Sequence, residues 1–164
     1  LLCVYESRRA GRLANDQPIH HIGGSGDPVS EDCIFCLRHD EELNTVMREN
    51  VSFYARYDNF PASDGHLEIV PKRHVESFFD LTDQEILEAY ALLCEVQKEL
   101  QQKYDADGYT IGVNEGDAAG RTIDHLHIHL IPRHFGDVED PRGGIRQAAP
   151  NCDPDSWAAS KASG

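Results

Sequence analysis

With 164 residues the chain has the length of one ordinary domain, and its 40% hydrophobic composition is enough for a single core. Fifteen Lys and Arg against 29 Asp and Glu give a formal net charge of −14, which repels polynucleotides and anionic membranes and argues against both as partners. No apolar run approaches the roughly 20 residues that span a bilayer. The opening LLCVYESRR is too short an apolar stretch for a signal peptide, and the five cysteines are odd in number, so reduced thiols in a cytoplasmic protein are expected.

Residues 1–30 are polar and Gly-rich without a sustained period and read as a flexible extension, in which His20 and His21 are assigned no role. Residues 31–150 read as the folded domain and 151–164 as a C-terminal tail. The domain opens on CIFC, with Cys33 and Cys36 two residues apart. HDEELNTVMREN predicts a short helix, VSFYARYDNF a strand that stops at Pro61, and GHLEIVPKRH a second strand from His66, with Gly65 as the turn residue before it. From Thr82 to Lys103 the sequence predicts a long helix. Thr82 and Glu85 make a capping box, Ile86, Tyr90, Leu93 and Leu100 keep helical spacing, and DADG ends it. YTIGVN then predicts a strand, EGDAAGRT a loop, and Ile123 to Ile131 a last strand before a turn-rich tail. Strands joined by short links or by one helix define an α+β fold, a mostly antiparallel sheet with one long and one short helix.

That last strand lies in DHLHIHLIPRH, residues 124–134, which holds four of the nine histidines. His125, His127 and His129 alternate with Leu126, Ile128 and Leu130, so an ideal strand places three imidazoles on one face and three aliphatics on the other. One exposed histidine would need no explanation; three in strict alternation do. His-x-His can present two nitrogens to zinc, but Asp124, the obvious third ligand, points to the opposite face. Alternatively, a neutral imidazole attacks phosphorus near pH 7 while a second one holds its tautomer.

HLHIHLI resembles the signature of the histidine triad superfamily, nucleotide hydrolases and transferases acting at the α-phosphate. DGHLEIVPKRH and GVNEGDAAGRTIDH extend the resemblance over roughly residues 33–146. It implies that His127 is the nucleophile, forming a covalent nucleotidyl-histidine, that His129 and His66 serve the phosphate oxygens, and that Asp58 binds the ribose hydroxyls. It also places Asn114 by the phosphate or its leaving group. Arg121, followed by Thr122, stands where the family usually has glutamine, and an arginine there can hold a polyphosphate.

In some members CIFC pairs with the histidine after PKR and with the first of the triad, which implies a structural zinc on Cys33, Cys36, His74 and His125. No organic cofactor is implied. The tail RHFGDVEDPRGGIR resembles the diadenosine polyphosphate hydrolase side of the family. The expectation is a homodimeric hydrolase of a diadenosine polyphosphate or related nucleoside phosphate or phosphoramidate. A transferase or phosphorylase of the same family is the alternative, and a nucleotide-binding regulatory protein with little turnover is the reading from another class.

Overall fold

The structure, a computed structural model, describes residues 33–153. Five strands, β1 (Val46–Glu49), β2 (Phe53–Tyr57), β3 (Leu67–Pro71), β4 (Gly108–Gly112) and β5 (Ile128–Arg133), form one antiparallel sheet in the order β1-β2-β3-β5-β4. One long helix, α1 (Asp83–Tyr104), crosses between β3 and β4. The expectations for residues 1–30, including His20 and His21, and for the end of the tail lie outside the described residues.

Alternation along the strands sorts the sheet into two faces. Phe53 and Ala55 of β2, Leu67 and Ile69 of β3, and Ile128 and Leu130 of β5 form one buried core with Ala89, Leu92, Val96 and Leu100 of α1. Burying each larger aliphatic here contributes about 1.5–3 kcal/mol, which fixes the strand register. The side chains between them, including Tyr54, Arg56, Glu68, Val70 and His129, belong to the opposite face. Phe35, fully buried, packs with Tyr54 and Val70 on that side, and the Tyr54 hydroxyl donates to the Phe35 carbonyl at 2.7 Å.

α1 starts where the capping box places it. Glu85 N–H donates to Thr82 Oγ at 3.2 Å, and Thr82 N–H donates to Glu85 Oε2 at 2.8 Å. It ends at Asp105, whose left-handed backbone (φ 51°) brings its N–H to the Gln101 carbonyl. The buried stripe differs from the expected one: Ala89, Leu92 and Val96 join Leu100 inside, Leu93 is partly buried, and Tyr90 is 66% exposed. Ala89 and Tyr90 are adjacent, and the smaller residue takes the place against the sheet.

Two further expectations are corrected. The short helix over HDEELNTVMREN does not form: residues 40–43 make turns, and Val46–Glu49 become the edge strand β1. Asn44 Nδ2 donates to the carbonyls of Ile34 and Leu37 at 2.9 and 3.0 Å, which ends the turn and frees the next residues to pair with β2. The histidine strand begins only at Ile128, because Leu126 N–H is drawn to the Val75 carbonyl (2.7 Å) instead of a strand partner. Among the described residues no helix is long and apolar enough to cross a membrane.

Candidate active site

His129 stands opposite Glu68 across the β5–β3 pair, and the ring of His127 lies edge-on to it with centroids 4.9 Å apart. His66 enters just before β3, from the turn at Gly65 (φ 81°), and its Nε2 is 3.0 Å from His129 Nδ1. Three histidines therefore meet on the face away from α1, His127 and His129 from one stretch of chain and His66 from another 63 residues before His129.

Hydrogen bonds assign their protons. His127 Nδ1–H donates to the His125 carbonyl at 2.8 Å, which leaves Nε2 as the free lone pair. Ala62 N–H donates to His66 Nδ1 at 3.2 Å, so His66 carries its proton on Nε2 and donates it to His129 Nδ1. His129 then keeps its own proton on Nε2, as a donor. Burial holds all three below the ordinary histidine pKa: His129 is pushed down to about 4, with the His127 and His66 charges adding to burial, and Asp58 partly offsets the depression at His66. Neutral imidazoles at pH 7 suit nucleophilic attack and hydrogen-bond donation.

His127 and His129 line a cavity of about 230 Å³, together with Asp58, Asn114 and Thr122. Asp58 also serves a local turn, accepting from Phe60 N–H at 2.7 Å, and its Oδ2 is 3.4 Å from His66 Nδ1. A second cavity, about 690 Å³, adjoins the other side of His129 and His66 and shares Asn114 with the first. Val113, Ala118, Ile131 and Ile145 make its wall largely apolar, and no Lys or Arg among the described residues lines it. Arg121 lines neither cavity. Its guanidinium donates to the Glu76 carbonyl at 3.2 Å and pairs with Asp124 at 3.2 Å.

The first triad histidine faces elsewhere. His125 is fully buried, its Nε2–H donates to the Pro71 carbonyl at 2.9 Å, and its Nδ1 lies 3.4 and 3.7 Å from Cys33 Sγ and Cys36 Sγ. His74 Nδ1 is 3.3 Å from Cys36 Sγ, and the four donor atoms all lie within 4.8 Å of one another. Tetrahedral zinc, with Zn–S about 2.3 Å and Zn–N about 2.0–2.1 Å, requires S···N separations of about 3.6 Å. The donor set and its spacing fit a closed structural zinc site, and the Pro71 bond already directs the His125 lone pair toward it.

Sequence reasoning missed two charged residues of the first cavity, Arg56 and Glu68, which are 2% and 5% exposed and paired at 2.7 Å. The signal was present: Arg56 is two residues before Asp58 and Glu68 two after His66, so each shares a face with a residue already assigned. Burial, reinforced by the Asp58 charge and opposed by Arg56, pushes the Glu68 carboxyl up to about 7.

Residues 40–136 match the HIT domain family. The chain belongs to that family, whose fold and histidine cluster it carries. Over 100 residues it is 36% identical to AP-4-A phosphorylase of Mycobacterium tuberculosis, covering 60% of this chain and 51% of that protein. Over 80 residues it is 32% identical to the asymmetrical bis(5'-nucleosyl)-tetraphosphatase of Schizosaccharomyces pombe, covering 49% of this chain and 44% of that protein. Among solved structures, a HIT family protein from Bacillus anthracis superimposes with a TM-score of 0.61 at 28% identity, over 65% of this chain and 77% of that one.

Proposed function

We propose that the protein is a nucleotide hydrolase attacking the α-phosphorus of a nucleoside polyphosphate, such as a diadenosine polyphosphate, or of a nucleoside phosphoramidate, through a covalent nucleotidyl-histidine at His127. The observation that carries this reading is the His127 Nδ1–H···O=C bond to His125 at 2.8 Å, which leaves Nε2 unprotonated in a side chain that lines the cavity. That lone pair forms the N–P bond as the P–O or P–N bond to the leaving group breaks. Water then attacks the same phosphorus, releasing the nucleoside monophosphate and restoring the imidazole. His129 Nε2–H, fixed by His66, donates to the phosphoryl oxygens as their charge grows. Asp58 accepts from the ribose hydroxyls, Thr122 borders the phosphate, and Asn114, shared by both cavities, sits between nucleotide and leaving group.

The second cavity receives the leaving group, and its apolar wall, without Lys or Arg among the described residues, favours the phosphoramidate or another weakly charged leaving group over a long polyphosphate. In this reading Arg121 reaches a polyphosphate only after leaving Asp124 and Glu76. Zinc on Cys33, Cys36, His74 and His125 supplies a structural cross-link and takes no part in bond making. A homodimer is supported by the exposed Leu87 and Tyr90 of α1 and by Ile111 of β4, one of the two edge strands of the sheet among the described residues.

The specific alternative is a phosphorylase, favoured by the M. tuberculosis relative, in which phosphate instead of water resolves the intermediate. Incubation with diadenosine tetraphosphate and with adenosine 5'-phosphoramidate, each with and without inorganic phosphate, separates the two. The hydrolase gives AMP without phosphate, together with ATP from the polyphosphate or ammonia from the phosphoramidate; ADP formed only when phosphate is present establishes the phosphorylase, and binding of both compounds without products leaves a regulatory protein.

A further inference from the structure

The proposed reaction gives no task to the ion pair at the floor of the first cavity. Arg56 NH1 donates to Glu68 Oε2 at 2.7 Å, NH2 donates to Asn59 Oδ1 at 2.7 Å and to the Leu43 carbonyl at 3.0 Å, and the guanidinium lies 5.3 Å from the centroid of the Phe35 ring. Both side chains are more than nine-tenths buried. Glu68 Oε1, by contrast, accepts no hydrogen bond from any described residue and is not sealed from solvent, while Glu68 lines the cavity beside His127 and His129. A carboxylate oxygen of Glu68 lies within 4.8 Å of a ring nitrogen of each of those histidines.

Stability does not explain this arrangement. Taking two charges out of water costs several kcal/mol per ion, and an apolar pair of similar volume is commonly as stable or more so. The unpartnered oxygen is an acceptor held in place by Arg56, in a cavity whose other walls include Ile34, Phe60 and Ile123. Those apolar side chains suit the faces of a planar ring, and the acceptor suits an N–H on its edge.

We propose that Glu68, held by Arg56, selects the nucleobase, favouring a base that presents an amino group to Oε1 over one that presents a carbonyl oxygen there. This deepens the nucleotide reading and rests on it. Adenine is thereby preferred over hypoxanthine, and cytosine over uracil, because each oxo base sets a second acceptor against the carboxylate and leaves both unsatisfied. A buried polar group denied its partner discriminates much more strongly than a difference in apolar contact.

Calorimetric Kd values of the full chain for AMP, IMP, CMP and UMP, measured at one salt and at one pH well above 7, where the Glu68 carboxyl is ionised, test this without requiring turnover. The wild type is expected to bind AMP at least about tenfold tighter than IMP, and CMP tighter than UMP in the same sense. Replacing both charges, Arg56→Leu with Glu68→Leu, should bring the AMP/IMP ratio within about threefold. Glu68→Gln, whose amide can turn an N–H toward a carbonyl, should narrow or reverse the ratio and carries the test if the double variant fails to fold. Equal affinities in the wild type, or a ratio unchanged in the variants, overturn base selection while leaving nucleotide binding intact. A variant that alters the ratio of AMP to 2'-deoxy-AMP but not of AMP to IMP places Glu68 at the ribose and also overturns it. Failure of the wild type to bind any of the four overturns the nucleotide reading itself.

Discussion

The direction of one lone pair separates His127 from its neighbours. Its Nδ1 proton is committed to the His125 carbonyl, whereas the Nδ1 of His129 accepts from His66 and the Nδ1 of His125 faces two thiols. His127→Ala is therefore expected to reduce turnover by roughly 10³-fold or more and to abolish the nucleotidyl adduct seen by mass spectrometry after acid quench. A labelled His127→Ala protein would remove the nucleophile from the reading. The depressed pKa of His66 and His129 has its own consequence. Between the unfolded histidine value of about 6.5 and the His129 value of about 4, the unfolded chain binds more protons than the folded one, so stability rises with pH there. The contribution is complete above pH 6.5 and is lost as pH falls from 6.5 toward 4. Thermal melts of wild type and His129→Asn across that window should show a shallower fall in the variant, and parallel curves would place the shift elsewhere.

At the scale of elements, the turn before β3 carries the site. Gly65 has φ 81°, and a Cβ there would come within 2.7 Å of the Tyr104 ring at the end of α1. Gly65→Ala is expected to cost about 1–3 kcal/mol in denaturant unfolding and to displace His66, raising KM and lowering kcat together; unchanged kinetics would show that His66 is positioned by β3 alone. Much of this was legible in the sequence. Thr82 with Glu85 located the start of α1, Gly65 the turn, and the alternating histidines the face on which His127 and His129 meet His66, because caps, turns and two-residue periods are local signals. β1 was not legible, since its strand comes from pairing with β2 after Asn44 closes a turn around carbonyls 7 and 10 residues earlier. For Arg56 and Glu68 the two-residue spacing to Asp58 and His66 showed the shared face but not the burial: a charged residue alternating in a strand reads as solvent-facing until Phe35, from a distant stretch of chain, covers it.

For the whole molecule, the Cys33–His125 contact spans 92 residues and joins the start of the described chain to the approach to β5. The segment it secures supplies Phe35, whose ring lies 5.1 Å from that of His127 and packs edge-on to His125 at 5.7 Å. A zinc ion at Cys33, Cys36, His74 and His125 would thus close a long loop, an entropic constraint on the unfolded chain, and hold the wall against which the nucleophile rests. Metal analysis is expected to give one zinc per chain. Its removal by a chelator, or the change Cys36→Ser, should lower stability by at least about 2 kcal/mol, a fall in Tm of roughly 5 °C or more for a domain of this size. Activity should fall with the ordering of Phe35, and added zinc should restore it in the chelated wild type. A purified protein without metal and with an unchanged melting curve would leave the Cys2His2 cluster as packed thiols and imidazoles, with Phe35 and the His125 carbonyl orienting His127 without it.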